Sequence, residues 1–231
     1  VKGDRLYLGT GNKFDAGLDL KDFDRISLVG AGKATAPMAK AMEYLLGEKI
    51  YRGIINVKYG FTDKVGFTEV LEAGHPVPDQ KGVEGTKEIL AFLEDRDEGD
   101  LVFSLISGGG SALLPQPAAG ITLADKQSLT RSLLACGASI DEINAVRKHI
   151  SLSKGGQMAR AAFPATVVNL MLSDVVGDRM DVIASGPFVP DPSTFGDVLR
   201  IFQKYDLQEI PPEIQRHIHE GAMGHIPETP K

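Results

Sequence analysis

Leu101-Val102-Phe103-Ser104-Leu105-Ile106-Ser107-Gly108-Gly109-Gly110-Ser111-Ala112-Leu113-Leu114 opens with an apolar run broken only by Ser104. Such a run suits a strand buried on both faces of a parallel sheet. Ser-Gly-Gly-Gly-Ser then ends it. Ordering three glycines costs about 0.5–1 kcal/mol each relative to Ala in regular structure. In return they permit positive φ and bring backbone N–H groups close to a ligand. Between Ser107 and Ser111 the loop offers donors and little bulk, which makes a cradle for a phosphate or carboxylate. The plainer reading is a flexible turn between two elements, but a plain turn has little need of three glycines at a buried strand end.

The 231 residues are 42% hydrophobic and 24% charged, enough for one large core or two modest ones. No apolar run approaches the ~20 residues of a membrane span. A net charge of −6 points away from nucleic-acid and anionic-membrane partners. The single Cys136 excludes an internal disulfide and a cysteine-rich metal site, and a reducing, cytoplasmic compartment fits. The sequence starts without Met and finishes in Pro227-Glu228-Thr229-Pro230-Lys231, a linker-like tail. We therefore expect a fragment with peripheral or incomplete ends over 1–25 and 206–231, and Leu6-Tyr7-Leu8 as a short edge strand.

Outward from the opening stretch, strands and helices alternate. Ile26-Ser27-Leu28-Val29, Ile54-Ile55-Asn56-Val57, Thr68 to Ala73 and Thr166 to Leu172 read as strands. Helices are expected from about Pro37 to Leu46, Gln80 to Asp95 and Thr122 to Cys136. Further ones start near Ser139, Gln157, Phe195 and Glu213. Thr122 and Asp125 make a capping-box-like start. Such alternation implies a parallel sheet covered on both faces, with ligands gathered beyond the carboxyl ends of the strands. Three strand ends carry unusual chemistry: Gly30-Ala31-Gly32-Lys33, Ser107 to Ser111, and Ser173-Asp174-Val175-Val176-Gly177-Asp178.

Gly30 to Thr35 fails as a dinucleotide fingerprint, because Thr35 stands where the third Gly or Ala belongs and only Asn56 lies near a ribose position. It fails as a P-loop too, with Ser27 and Ala34 at the defining places. What remains is a lysine in a glycine turn, suited to charge on a transferring phosphoryl group or simply solvated. Asp174 and Asp178 could hold Mg²⁺, one of them could take a proton from a hydroxyl, or they could cap the turn. Asn144, Arg147 and Lys154 could receive an anion, for which Arg is the better bidentate partner. Arg147 and the adjacent Lys148 point in different directions. His75 reads as a loop histidine and His149 as packing or surface. His217, His219 and His225 are discounted as metal ligands.

Gly-Ala-Gly-Lys-Ala at 30–34, Gly-His-Pro-Val-Pro-Asp at 74–79 and Ile-Ser-Gly-Gly-Gly-Ser-Ala-Leu-Leu at 106–114 resemble the MOFRL-containing glycerate 2-kinase family. So do Asn-Ala-Val-Arg-Lys-His-Ile-Ser at 144–151, Lys-Gly-Gly at 154–156, Leu-Ser-Asp-Val-Val-Gly-Asp at 172–178 and Ser-Gly-Pro at 185–187. The series spans about residues 26 to 205.

The resemblance implies a Rossmann-like three-layer α/β/α domain with a mainly parallel sheet, taking up residues 1–231. It also implies a second α/β domain missing from this chain, which in the family adds further active-site residues. The implied activity is ATP- and Mg²⁺-dependent phosphorylation of D-glycerate, 2-phosphoglycerate favoured, an activity that the fragment alone need not retain. Lys33 and Asp174 are the implied catalytic residues, and a homodimer is an accompanying expectation. Phosphate or substrate would fall to Ser107, Gly108, Gly109, Gly110, Ser111, Asn144, Arg147 and Lys154, and metal to Asp174 and Asp178. The alternatives are an NAD(P)H-dependent hydroxypyruvate reductase, the older name of some members, and a non-catalytic small-anion-binding module.

Overall fold

The computed structural model describes residues 3–10, 13–174 and 177–231. Five strands form one parallel sheet: β3 (Arg25–Ala31), β4 (Ile50–Lys58), β5 (Thr68–Ala73), β6 (Asp100–Ser107) and β7 (Thr166–Leu172). Their order across the sheet is β5-β4-β3-β6-β7. The chain runs outward from β3 to β5, then crosses back to place β6 on the other side of β3. That reversal opens a crevice between the carboxyl ends of β3 and β6, the place where open α/β sheets collect ligands.

Every residue of β6 is buried, as its unbroken apolar run requires. Ser104, the one polar interruption, donates its hydroxyl to Asn169 Oδ1 of β7 at 3.0 Å. Alternate side chains feed opposite faces. Val29, Val102 and Ile106 meet α2 (Gln80–Glu94) and α6 (Gln157–Ala162) through Ile89, Leu93, Met158 and Ala162. Leu28, Leu101, Phe103 and Leu105 meet α1 (Thr35–Leu46) through Ala36, Ala39, Met42 and Leu46. Three layers result, as the alternation of elements implies.

Two features exceed the sequence reading. The expected edge strand at Leu6 to Leu8 is half of an antiparallel hairpin, β1 (Arg5–Thr10) with β2 (Lys13–Asp19), separate from the main sheet. A third core also gathers α4 (Leu123–Ala135), α5 (Ile140–His149), α7 (Phe195–Lys204) and α8 (Pro212–Ala222). Its centre is Leu129, Val146, Val198, Ile214 and Ile218, all essentially inaccessible. Capping boxes start α4 at Thr122, α5 at Ser139 and α7 at Thr194. Between β6 and α4 comes one short turn of helix, α3 (Gly110–Leu113). Among the described residues no helix is long and apolar enough to cross a membrane.

The terminal stretch is not the loose tail that its composition suggests. Thr229 is buried and donates to Asp191 Oδ2 at 2.9 Å, while the Asp191 N–H donates to Pro230 O at 2.8 Å. Two buried lysines hold the loops that follow α3. Lys126 of α4 donates to Pro115 O (2.8 Å) and Ser151 Oγ (2.6 Å). Lys154 donates to Ser111 O (2.8 Å) and Leu114 O (2.9 Å).

Phe103→Ala empties a fully buried site in β6 and should cost about 3–5 kcal/mol. Tyr44→Ala, at a side chain 90% exposed, should stay within about 0.5 kcal/mol; urea midpoints of the two variants give the comparison. Burial, with the Arg147 charge adding to it, pulls Lys126 down to about 7. The unfolded chain keeps that proton up to the ordinary lysine range, whereas the folded chain gives it up near pH 7. The Lys126 contribution to stability therefore improves as pH rises from about 7 toward 10. Lys126→Met should flatten that rise, read from denaturant midpoints at about pH 7 and pH 9.

Candidate active site

The turns after β3 and β6 are joined by hydrogen bonds. The Lys33 N–H donates to Gly108 O (3.0 Å) and the Ala34 N–H to Ser107 Oγ (3.0 Å). Thr35 Oγ1 lies 3.3 Å from Leu105 O and 3.2 Å from Ser107 Oγ. Only Gly109 of the three glycines needs a left-handed backbone, at φ +90°. The other two are small because their surroundings leave no room. Asp174 Oδ2 fills the space that a β-carbon on Gly108 would take, and a β-carbon on Gly110 would come within 2.7 Å of Ala184 Cβ. At Gly109 the position of a β-carbon is 2.9 Å from His75 Nε2 and 3.4 Å from Lys33 Cγ. Lys33, His75 and Asp174 thus surround one glycine turn.

A second wall comes from α5 and the Ser-Gly-Pro segment. Ala184, Ser185 and Gly186 are successively left-handed, at φ +53°, +62° and +60°, a strained run for two non-glycine residues. It is pinned by the Gly155 N–H donating to Ser185 O (3.0 Å) and the Gly156 N–H donating to Gly186 O (2.8 Å). The Ser185 hydroxyl donates to Asn144 Oδ1 at 3.0 Å, so its 2.9 Å contact with Ser111 takes the Ser111 proton. Asn144 Nδ2 is left buried without a partner.

Two cavities meet at Gly109, Ser111 and Arg147. The larger, about 500 Å³, runs along His75 to Pro78 and α4, with Lys126, Arg131 and Lys154 in its wall. The smaller, about 290 Å³, is lined by Asn144, Asp174 and Ala184. Burial lowers the Arg147 guanidinium from its ordinary range. Burial, then the Lys126 and Arg147 charges, lowers Lys154 strongly. The His75 imidazole is lowered by burial first and then by Lys33 and Lys58.

The structure therefore brings Lys33, Gly108, Gly109, Gly110, Ser111, Asn144, Arg147, Lys154 and Asp174 together. Ser107 differs from expectation. It is 1% exposed, and its hydroxyl is spent on the β3–α1 turn rather than on the crevice. Lys154 lines the cavity, but its ammonium clamps two carbonyls. Asp178 is exposed at φ +50°, beyond Val175 and Val176, which lie outside the described residues. Among the described residues no three His, Cys, Asp or Glu side chains gather as a metal site.

Arg147 and Lys148 do diverge: Lys148 turns away to Asp191 at 3.2 Å. His149 is a packing residue, bonded to Ala145 O and Glu228. Asn56 is buried and donates to Leu113 O at 2.8 Å, so it is spent on packing rather than held ready for a ribose. Lys126, Arg131 and His75 also line the larger cavity and Ser185 bonds to Ser111 and Asn144 beside it, placements that sequence reasoning did not anticipate. Only the Ser-Gly-Pro motif and the proline-flanked histidine left a visible signal.

Known proteins resemble the chain over most of its length. A D-glycerate 2-kinase from Thermotoga maritima is 47% identical over 206 residues, covering 89% of this chain and 49% of the relative. A relative from Agrobacterium vitis with a provisional hydroxypyruvate reductase name is 44% identical, covering 90% of this chain and 46% of its own. A crystal structure of glycerate kinase from Thermotoga maritima superposes with a TM-score of 0.83, covering 90% of this chain and 49% of that one. The chain spans about half the length of the curated relatives it matches. The family described as Domain of unknown function (DUF4147) matches residues 5–219, and the chain belongs to that family.

Proposed function

We propose that this chain carries part of the active site of a D-glycerate 2-kinase, transferring the γ-phosphoryl group of ATP to a hydroxyl of D-glycerate to give 2-phosphoglycerate. The observation that carries the reading is the pairing of opposite charges about one glycine turn: Lys33 beside Gly109 and Asp174 against Gly108. Phosphoryl transfer needs a cation where charge spreads over the moving group and a carboxylate near the attacking hydroxyl. The names of the relatives support the same reaction, and the 2-hydroxyl is favoured by the relative from Thermotoga maritima.

In this reading the hydroxyl oxygen of glycerate attacks the γ-phosphorus and the bond to the β–γ bridging oxygen breaks. The hydroxyl proton passes to the Asp174 carboxylate, and ADP leaves. Lys33 neutralises charge on the transferring oxygens. Backbone N–H groups of Gly109, Gly110 and Ser111, with Asn144 and Arg147, hold phosphate or the glycerate carboxylate, and Lys154 keeps the loop in place. Asp174 has no hydrogen-bond partner among the described residues, and its single carboxylate fits a Mg²⁺ that takes other ligands from phosphate and water, with Asp178 as a further candidate. When bound, that ion would offset phosphate charge.

A cytoplasmic setting fits the single Cys136. A homodimer is part of the same reading. A reductase is favoured by the Agrobacterium vitis name and disfavoured by the commitment of Asn56 to Leu113 O.

Lys33→Ala in the complete polypeptide should lower kcat by roughly 10²–10³ with the fold intact by circular dichroism. Asp174→Asn should lower it at least as far. A coupled ADP-release assay with NMR of the product reads both the rate and the hydroxyl used. Normal turnover by Lys33→Ala removes Lys33 from the mechanism. NADH oxidation with hydroxypyruvate and no ATP would favour the reductase.

A further inference from the structure

Among the described residues, every arginine except two has a hydrogen-bonded or ion-paired side chain or carbonyl partner. The two are Arg131 and Arg147, and both line the larger cavity. No aspartate or glutamate lines it, in a chain with 31 acidic residues against 25 lysines and arginines. Lys126 and Lys154 lie beneath, with their side-chain nitrogens bound to carbonyls and a serine hydroxyl. Two free guanidinium groups facing an acid-free cavity form a receptor for an oxyanion with several oxygens.

The rest of the wall selects among oxyanions. Pro76, Val77, Pro78, Leu123 and Leu134 are apolar, and Val77 and Leu134 remain 64% and 60% exposed. A three-carbon hydroxy acid has little apolar surface to cover them. A nucleoside polyphosphate does, through the faces of its base, and about 500 Å³ lies within the range of drug-sized sites. The smaller cavity has the opposite character. Its buried Asn144 Nδ2 lacks an acceptor, and the Asp174 carboxylate stands in its wall.

We infer that the larger cavity seats the nucleotide, its base against Pro76 to Pro78 and Leu134 and its phosphates on Arg131 and Arg147, while the smaller cavity takes the hydroxy acid. The two ligands then meet at the shared wall of Gly109, Ser111 and Arg147, where the phosphoryl group changes hands. This assignment rests on the kinase reading for the identity of the acid, but not for the nucleotide. It gives Arg131, a solvent-facing residue of α4, a role in nucleotide affinity.

The test uses the complete polypeptide carrying Arg131→Glu and, separately, Leu134→Asp, both at exposed helix positions that leave the core intact. ADP binding is measured by calorimetry, and KM for ATP and for D-glycerate by steady-state kinetics. Loss of a charge-assisted contact should weaken ADP roughly tenfold to a hundredfold. KM for ATP should rise in parallel and KM for D-glycerate should hold. A raised KM for D-glycerate with ADP binding unchanged overturns the assignment and leaves the kinase reading standing. ADP binding that is lost in both variants, in a protein that never phosphorylates glycerate, supports the assignment and removes the kinase. Failure of the unmodified protein to bind ADP, or indifference of ADP to both substitutions, overturns it.

Discussion

The junction between β3 and β6 governs the rest of the site. These strands are neighbours only because the chain reverses direction across the sheet after β5, and their carboxyl ends must be fastened without a side chain in the crevice. Ser107 provides the fastening. Its hydroxyl accepts the Ala34 N–H and contacts Thr35 Oγ1, while the Lys33 N–H reaches Gly108 O. An apolar residue at 107 would leave the half-buried Ala34 N–H without this acceptor, a loss of about 1 kcal/mol. The serine that begins the glycine loop thus serves geometry, and the lysine one turn away is held by its own backbone. Its side chain is left to face Gly109.

Around that junction the molecule keeps positive charge where folding alone would not choose it. Lys126 and Lys154 are buried without a carboxylate partner; burial and then Arg147 lower the proton affinity of Lys126, and burial, then Lys126 and Arg147, lower that of Lys154. Buried cations without counter-charges weaken a fold. Ala184 and Ser185 add backbone strain at the same wall. Such costs concentrated in one place are the usual mark of a binding site. Here the carbonyls of Ser111, Leu114 and Pro115 repay part of the cost by accepting from the two ammonium groups, and the same hydrogen bonds fix the loop that follows the glycines.

Much of this was legible in the sequence because periodicity and caps are local. The buried β6, the alternation around it and the starts of α4 and α5 at Thr122 and Ser139 follow from residues within a few positions of each other. The convergence of Lys33 on the triple glycine also follows, since both end strands of one parallel sheet. Non-local facts were not legible. Nothing near Lys126 in sequence announces that Pro115 and Ser151 will enclose it. The third helical core depends on α7 and α8 returning to α4 and α5. The terminal prolines read as a linker because composition carries no record of Asp191, the buried group that receives Thr229. Ser107 was misjudged for the same reason: a hydroxyl flanking a glycine loop suits a ligand or a neighbouring turn equally, and only the register of β3 against β6 decides.

The Asp191 contact bears on the site through the rotation of α5. Successive helix residues are about 100° apart, so fixing one side chain orients its neighbours. Lys148 is drawn to Asp191, which burial opposes as a carboxylate but which Ser193, Lys148 and Thr229 hold ionised below the usual range. On the same side His149 reaches Glu228, and Glu228 also accepts the Phe195 N–H at the start of α7. With residues 148 and 149 anchored there, Asn144 and Arg147, three apart and on one face, are turned toward the two cavities. Lys148 and Arg147 are therefore not interchangeable cations. One is neutralised to set the helix, and the other is left unpaired by that setting. The terminal stretch, remote from the glycine loop in sequence, is in this way part of what aims the guanidinium at it.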